Sequence, residues 1–139
     1  MTADEWLREK ARVRQFDAAV KNDEEQIRKI FAAQVDVLWS QLQAEVRRQV
    51  DIYNEAASEP DSLVLETHPD LIDITASWGP RVAIRLNRHT QTLSETRYLE
   101  PGHAIGTPHF GFTITSGRLA FTSGEPDRVA IDILCRVLD

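Results

Sequence analysis

The first part of the chain, residues 3–57, carries apolar side chains at the spacing of an α-helix. Neither glycine nor proline occurs in this segment, and its surface positions are filled by Arg, Glu, Gln, Ala and Leu, which favour helices. The apolar residues recur mostly at steps of three, four or seven, which indicates one stripe along a helix. They are Val13, Phe16, Val20, Ile27, Ile30, Phe31, Val35, Leu38, Leu42, Val46, Val50 and Tyr53. We therefore predict a helical segment over 3–57.

The weakest point of this helical pattern lies at residues 21–24. Asn22 or Asp23 could cap a new helix there, with acidic residues favourably placed in its first turn. The segment is therefore either one long helix or two helices with a break near 21–24. A strict seven-residue repeat would place Asp23, Gln34 and Gln41 on the stripe, so a long regular coiled coil is not expected.

A helix of this length is too long for the domain that must cover it. Residues 23–57 alone would extend about 50 Å at a rise of 1.5 Å per residue. A compact chain of this size has a radius of gyration of only about 14 Å. Part of the helix should therefore extend beyond its own domain, and its apolar stripe must be covered by another surface.

The spacing of apolar residues changes to alternation after Pro60. Ile72, Ile74 and Ala76, for example, alternate with Asp73 and Thr75, which is typical of a strand with one face in the core. Short turns between such segments predict an antiparallel sheet of about six strands in meander order over 62–122. The strands are expected near 63–67, 72–78, 82–87, 92–99, 110–114 and 119–122, with an irregular loop over 100–108.

The chain ends in a segment that predicts a second helix, over 125–138. Ser123 to Pro126 form a helix start signal, and the apolar residues that follow cover an arc of roughly 240°. Arg128, Asp132 and Arg136 form the narrow polar strip, which we expect to face water. An arc this wide predicts that the helix is covered on more than one side. The pattern as a whole predicts a single α+β domain over 1–139, with the C-terminal helix packed on the sheet.

Composition limits the classes of partner and compartment. The 139 residues fit one domain, and the net charge of −6 disfavours nucleic acid and anionic membranes. No apolar stretch approaches the roughly 20 residues that span a bilayer. A single cysteine, Cys135, excludes an intrachain disulfide and a multi-cysteine zinc site. We therefore expect a cytoplasmic protein without membrane or nucleic-acid partners.

The sequence offers little catalytic chemistry. Among the four histidines, His103 and His109 bracket the 100–108 loop, but their spacing matches no standard metal site. Glu66, Asp73 and Glu95 occupy strand positions that we expect to face solvent. The expectation is therefore that the chain holds no metal, needs no cofactor and has no catalytic residue.

One cluster of charge could bind an anion or an acidic partner surface. Arg81, Arg85, Arg88 and Arg97 fall in a stretch where Glu95 is the only acidic residue, so a basic patch on the sheet is expected. The alternative is that these arginines are solvated or paired with acidic residues of the helices.

Two functions remain open from the sequence. The first is a self-associating, non-enzymatic interaction or adaptor protein that dimerises through its long helix and could bind a further protein partner. Its interface is expected at Phe31, Val35, Leu38, Leu42, Val46 and Val50. The second is a small-molecule-binding protein or enzyme with a pocket between the sheet and the 100–108 loop. That pocket would be lined by Trp78, His103, His109 and Phe110.

Overall fold

A computed structural model describes residues 2–100, 103–106 and 111–138 of the chain. The first helix, α1, spans Ala3–Ala56. It begins at a capping box, in which the Glu5 amide donates to the Thr2 hydroxyl over 3.2 Å and the Thr2 amide donates to the Glu5 carboxylate over 3.3 Å. The break considered near residues 21–24 is absent. Asn22 and Asp23 cost an uninterrupted helix at most about 0.7 kcal/mol each relative to alanine, and the flanking residues favour helix.

The strands confirm the α+β class and the antiparallel meander, but they form two sheets. The larger sheet contains β1 (Leu63–His68), β2 (Leu71–Ala76), β3 (Arg81–Asn87), β4 (Thr92–Glu100) and β5 (His103–Gly106), paired in that order. The smaller sheet is a hairpin of β6 (Phe112–Thr115) and β7 (Arg118–Phe121). The final helix, α2, spans Pro126–Leu138. Strand β5 falls inside the segment expected to be an irregular loop, because pairing with β4 forms a strand there without an alternating pattern.

The β6–β7 hairpin is attached to α1. The side-chain amide of Gln34 donates to the Gly117 carbonyl over 2.7 Å and accepts from the Leu119 amide over 2.8 Å. Beside these bonds, the rings of Phe31 and Phe112 meet edge to face with centroids 5.2 Å apart. Gln34, which interrupts the apolar stripe in the sequence, is therefore a polar attachment point for the hairpin.

The second half of α1 and all of α2 cover one face of the five-stranded sheet, here called the inner face. Helix α2 contacts β2 and β3, and α1 contacts α2, β1 and β7. The core contains six residues of α1, namely Phe31, Val35, Trp39, Leu42, Val46 and Val50. The sheet contributes residues such as Ile72, Ile74, Val82, Ile84 and Leu93. This packing confirms the expected position of the C-terminal helix on the sheet.

Helix α2 is covered over less of its circumference than its apolar arc predicts. Its buried residues are Val129, Ala130, Ile133, Leu134 and Val137. Ile131, Cys135 and Leu138 are exposed. The expectation of cover on more than one side is confirmed, because both α1 and the sheet contact α2, but this second stripe of α2 stays exposed. In the part of the chain that the structure describes, neither helix is long and apolar enough to cross a membrane.

Candidate interaction surface

The first half of α1 extends away from the folded body. Residues 3–29, here called the N-terminal extension, are exposed at every position. At 1.5 Å per residue the extension is about 40 Å long. Burial begins at Ile30, which is half-buried, and Phe31, which is buried. The overhang expected from the length of the helix therefore lies at its N-terminal end.

The extension carries apolar side chains that nothing in the described chain covers. Trp6 is 51% exposed and Phe16 is 69% exposed. Together with Val13, Val20 and Ile27, which are also exposed, they form what we call the extension stripe. Trp6, Val13, Val20 and Ile27 follow one another at intervals of seven, and Phe16 lies three residues after Val13. This spacing places all five on one side of the helix, as in a short coiled-coil seam.

An apolar groove of about 410 Å³ lies at the base of the extension, between α1 and the β6–β7 hairpin. Its walls include Ile27 and Phe31 from α1 and Phe112, Ile114 and Leu119 from the hairpin. Gln34 is the next residue in the seven-residue series of the extension stripe, and the hairpin covers it. The groove therefore lies at the boundary on α1 between the exposed extension stripe and the residues that the hairpin covers.

The residues that the sequence predicts as a dimer interface do not lie on the extension but in the core of the chain. Phe31, Val35, Leu42, Val46 and Val50 are buried in its core, and Leu38 is packed against them. They are covered because β1, β7 and α2 close over the second half of α1. In a single chain the extension stripe is therefore the exposed apolar series of α1, and Leu7, Val37 and Ile52 are exposed apart from it. Trp6, its first residue, was missed in the sequence because it precedes the run of apolar residues that begins at Val13.

Only one of the expected pocket residues has a described side chain. Trp78 lies in the turn between β2 and β3 and is exposed. His103 begins β5, but its side chain lies outside what the structure describes, as do His109 and Phe110 altogether. Within the described residues, no group of three or more His, Cys, Asp or Glu side chains could hold a metal ion.

The four arginines expected to form a basic patch are distributed over different surfaces. Arg81 and Arg85 lie on the outer face of the sheet, whereas Arg97 pairs with Val82 across strands and so belongs to the inner face. Arg88 follows β3, outside the strands. Adjacent residues of a strand point to opposite faces, so the proximity of these arginines in sequence does not bring them together.

Two of these arginines are neutralised by carboxylates. Arg81 binds Asp73 in a bidentate pair with distances of 2.9 and 2.6 Å, which raises the pKa of the guanidinium above its usual value. Arg88 donates to Asp36 of α1 over 2.7 Å and to Asp70 over 2.9 Å, and these bonds also raise its pKa. The sequence left open that these arginines pair with acidic residues of the helices. The structure shows such a pair at Arg88.

Two carboxylates expected in solvent are buried. Asp73 is held by Arg81, while Glu95 is 3% exposed and accepts from Arg136 of α2 over 2.9 Å. Glu95 pairs with Ile84 across strands, so it occupies the inner face. Arg136 therefore points to the sheet, whereas Arg128 and Asp132 stay on the water-facing strip, 3.7 Å apart. These pairs hold α2 and β3 in place, whereas no described residue covers the extension stripe.

Comparisons with protein-family models, with curated proteins and with solved structures gave no match to this chain.

Proposed function

We propose that this protein is a non-enzymatic, self-associating interaction protein whose long N-terminal helix is its dimerisation element. The observation that carries the proposal is the extension stripe, five exposed apolar side chains at coiled-coil spacing on a helix that extends about 40 Å beyond the body. A dimer also provides the simplest cover, since one closed two-fold interface buries the same surface of both copies.

The energetics of the extension favour a partner. Helices in proteins gain most of their stability from packing of an apolar face rather than from helix propensity. Burying the exposed half of each stripe residue contributes roughly 1 kcal/mol per side chain, or about 10 kcal/mol for two copies. Association itself costs about 4–15 kcal/mol. The gain and the cost are of the same magnitude, so pairing of the stripes fits a reversible dimer rather than a permanent one.

The charge of the extension fits a second copy of the chain. Its acidic residues are Asp4, Glu5, Glu9, Asp17, Asp23, Glu24 and Glu25, and its basic residues are Arg8, Lys10, Arg12, Arg14, Lys21, Arg28 and Lys29. The two sets are equal in number, so the extension is neutral while the whole chain carries −6. A neutral surface with both signs interspersed neither repels its own copy nor attracts a polyanion.

Sedimentation equilibrium of the full-length chain tests this function with two matched variants. Phe16→Asp adds a carboxylate to the stripe at its most exposed residue, and it should abolish dimerisation. Ala18→Asp adds the same charge to the same helix on the opposite side, and it should leave the dimer intact. Circular dichroism at the helix minimum checks that both variants remain folded. Equal effects of the two substitutions, or a monomeric parent protein, would overturn the proposal.

A further inference from the structure

We propose that two copies pair antiparallel through their extensions, so that Trp6 of each enters the hairpin groove of the other. This inference rests on the proposed function and specifies its geometry. The hairpin groove is the cavity of about 410 Å³ between α1 and the β6–β7 hairpin. Two-fold symmetry then fills both grooves at once, because an isologous interface repeats every contact.

The length of the extension fits this arrangement. Trp6, the first residue of the extension stripe, and Ile30, the first half-buried residue of α1, lie about 36 Å apart along one helix. When two extensions pair antiparallel with their midpoint near Ala18, Trp6 of one copy lies beside Ile30 of the other. The facing residues are then Trp6 with Ile30, Glu9 with Ile27, Val13 with Asp23, and Phe16 with Val20.

The groove is positioned to receive the tip of such a partner. Residues seven apart lie on nearly the same side of a helix, so the extension stripe and Gln34 share one side of α1. The hairpin is bound to that side through Gln34. A partner helix lying along the stripe therefore ends against the hairpin, where Ile27, Phe112 and Ile114 offer apolar walls.

Trp6 suits the role of an anchor. Half of its surface is exposed, and the ammonium of Lys10 lies 5.5 Å from its ring centroid. Large aromatic side chains that fill a pocket on the partner contribute a major share of binding energy in protein interfaces. Trp6 belongs to the extension stripe, and we therefore expect it to contribute more to pairing than the other stripe residues.

The order of charges along the extension favours antiparallel over parallel pairing. Residues 3–16 of the extension carry a net charge of +1, and residues 17–29 carry a net charge of −1. Antiparallel pairing places these opposite charges beside each other. A parallel pair in register would instead set Glu9 against Glu9 and Asp23 against Asp23 in the seam, which is destabilising.

Cysteine cross-linking distinguishes the two orientations. All variants carry Cys135→Ser, which removes the exposed native thiol. Glu9→Cys and Ile27→Cys are prepared as separate proteins, mixed and oxidised. We expect a disulfide between the two variants in the mixture and none in either protein alone. A disulfide in Glu9→Cys alone would indicate parallel pairing and overturn this inference while leaving the dimer, whereas a monomeric parent protein would overturn the proposed function as well.

A double-mutant cycle tests the groove itself. Thr113 and Thr115 are both exposed on β6, but only Thr113 lines the groove. Thr113→Asp should raise the dimer Kd about tenfold, the factor that corresponds to 1.4 kcal/mol, whereas Thr115→Asp should leave it unchanged. In a Trp6→Ala background the effect of Thr113→Asp should disappear. If the two substitutions at Thr113 and Trp6 act additively, or if Thr115→Asp weakens the dimer equally, Trp6 does not occupy the groove.

Discussion

Leu42→Ala tests whether the second half of α1 is the core of one chain. Leu42 is 0% exposed and lies among residues of α1, the sheet and α2. Removing such a side chain loses its transfer free energy and leaves a cavity, which together cost about 3–5 kcal/mol. With a urea m-value of roughly 2 kcal/mol per molar, the unfolding midpoint should fall by about 2 M.

The measurement is made in the Phe16→Asp background, where unfolding is expected to be independent of dimerisation. Urea titrations followed by circular dichroism compare Leu42→Ala with Val37→Ala, an exposed residue of the same helix. Val37→Ala should change the free energy of unfolding by at most about 0.5 kcal/mol. If Leu42→Ala matched this control in stability but weakened association of the otherwise unmodified chain, Leu42 would belong to a surface between copies and the assignment of the core would be wrong.

Three further substitutions test contacts that organise the body. Gln34→Ala should cost about 1–3 kcal/mol, because it leaves the Leu119 amide without its acceptor, and hydrogen exchange should rise first in the β6–β7 hairpin. Arg136→Ala should destabilise the fold by about 3 kcal/mol in urea titrations, because Glu95 remains buried after losing this partner. Arg88→Ala should cost at most about 1 kcal/mol, with a difference from the parent that shrinks at high salt, since its ion pairs are partly exposed.

The helices and the central strands could be predicted from local pattern. Residues 3–57 contain neither glycine nor proline, and β2 and β3 alternate clearly between apolar and polar positions. Each of these signals depends on a residue and its near neighbours only, so the sequence contains enough information to identify them. The same patterns, together with the short turns between strands, also predict the α+β class and the antiparallel meander order of the strands.

The division of α1 into a covered and an uncovered half could not be predicted in the same way. Val20 and Val46 occur in similar helical contexts, yet only Val46 is buried. The difference arises from where β1, β7 and α2 pack, which is a tertiary property. The sequence predicted correctly that the helix would outgrow its domain, and it assigned the interface to the half that the chain covers itself.

The burial of Glu95 in β4, which was expected to face solvent, could not be predicted for a related reason. Among the described residues of β4 the inner face carries Leu93, Glu95 and Arg97 in succession, and two of these three are charged. Alternation alone assigns charged residues to the solvent side. Glu95 is buried because Arg136 reaches it from α2, which is 41 residues away in sequence. A contact between residues this far apart in sequence cannot be recognised from the local pattern of apolar and polar positions.

Light scattering of the full-length parent chain over a dilution series tests the central claim most directly. The account predicts a mass near twice 15.8 kDa at high concentration that falls toward 15.8 kDa on dilution. A mass of 15.8 kDa at every concentration would mean that the extension stripe stays uncovered by a second copy, and it would contradict the account.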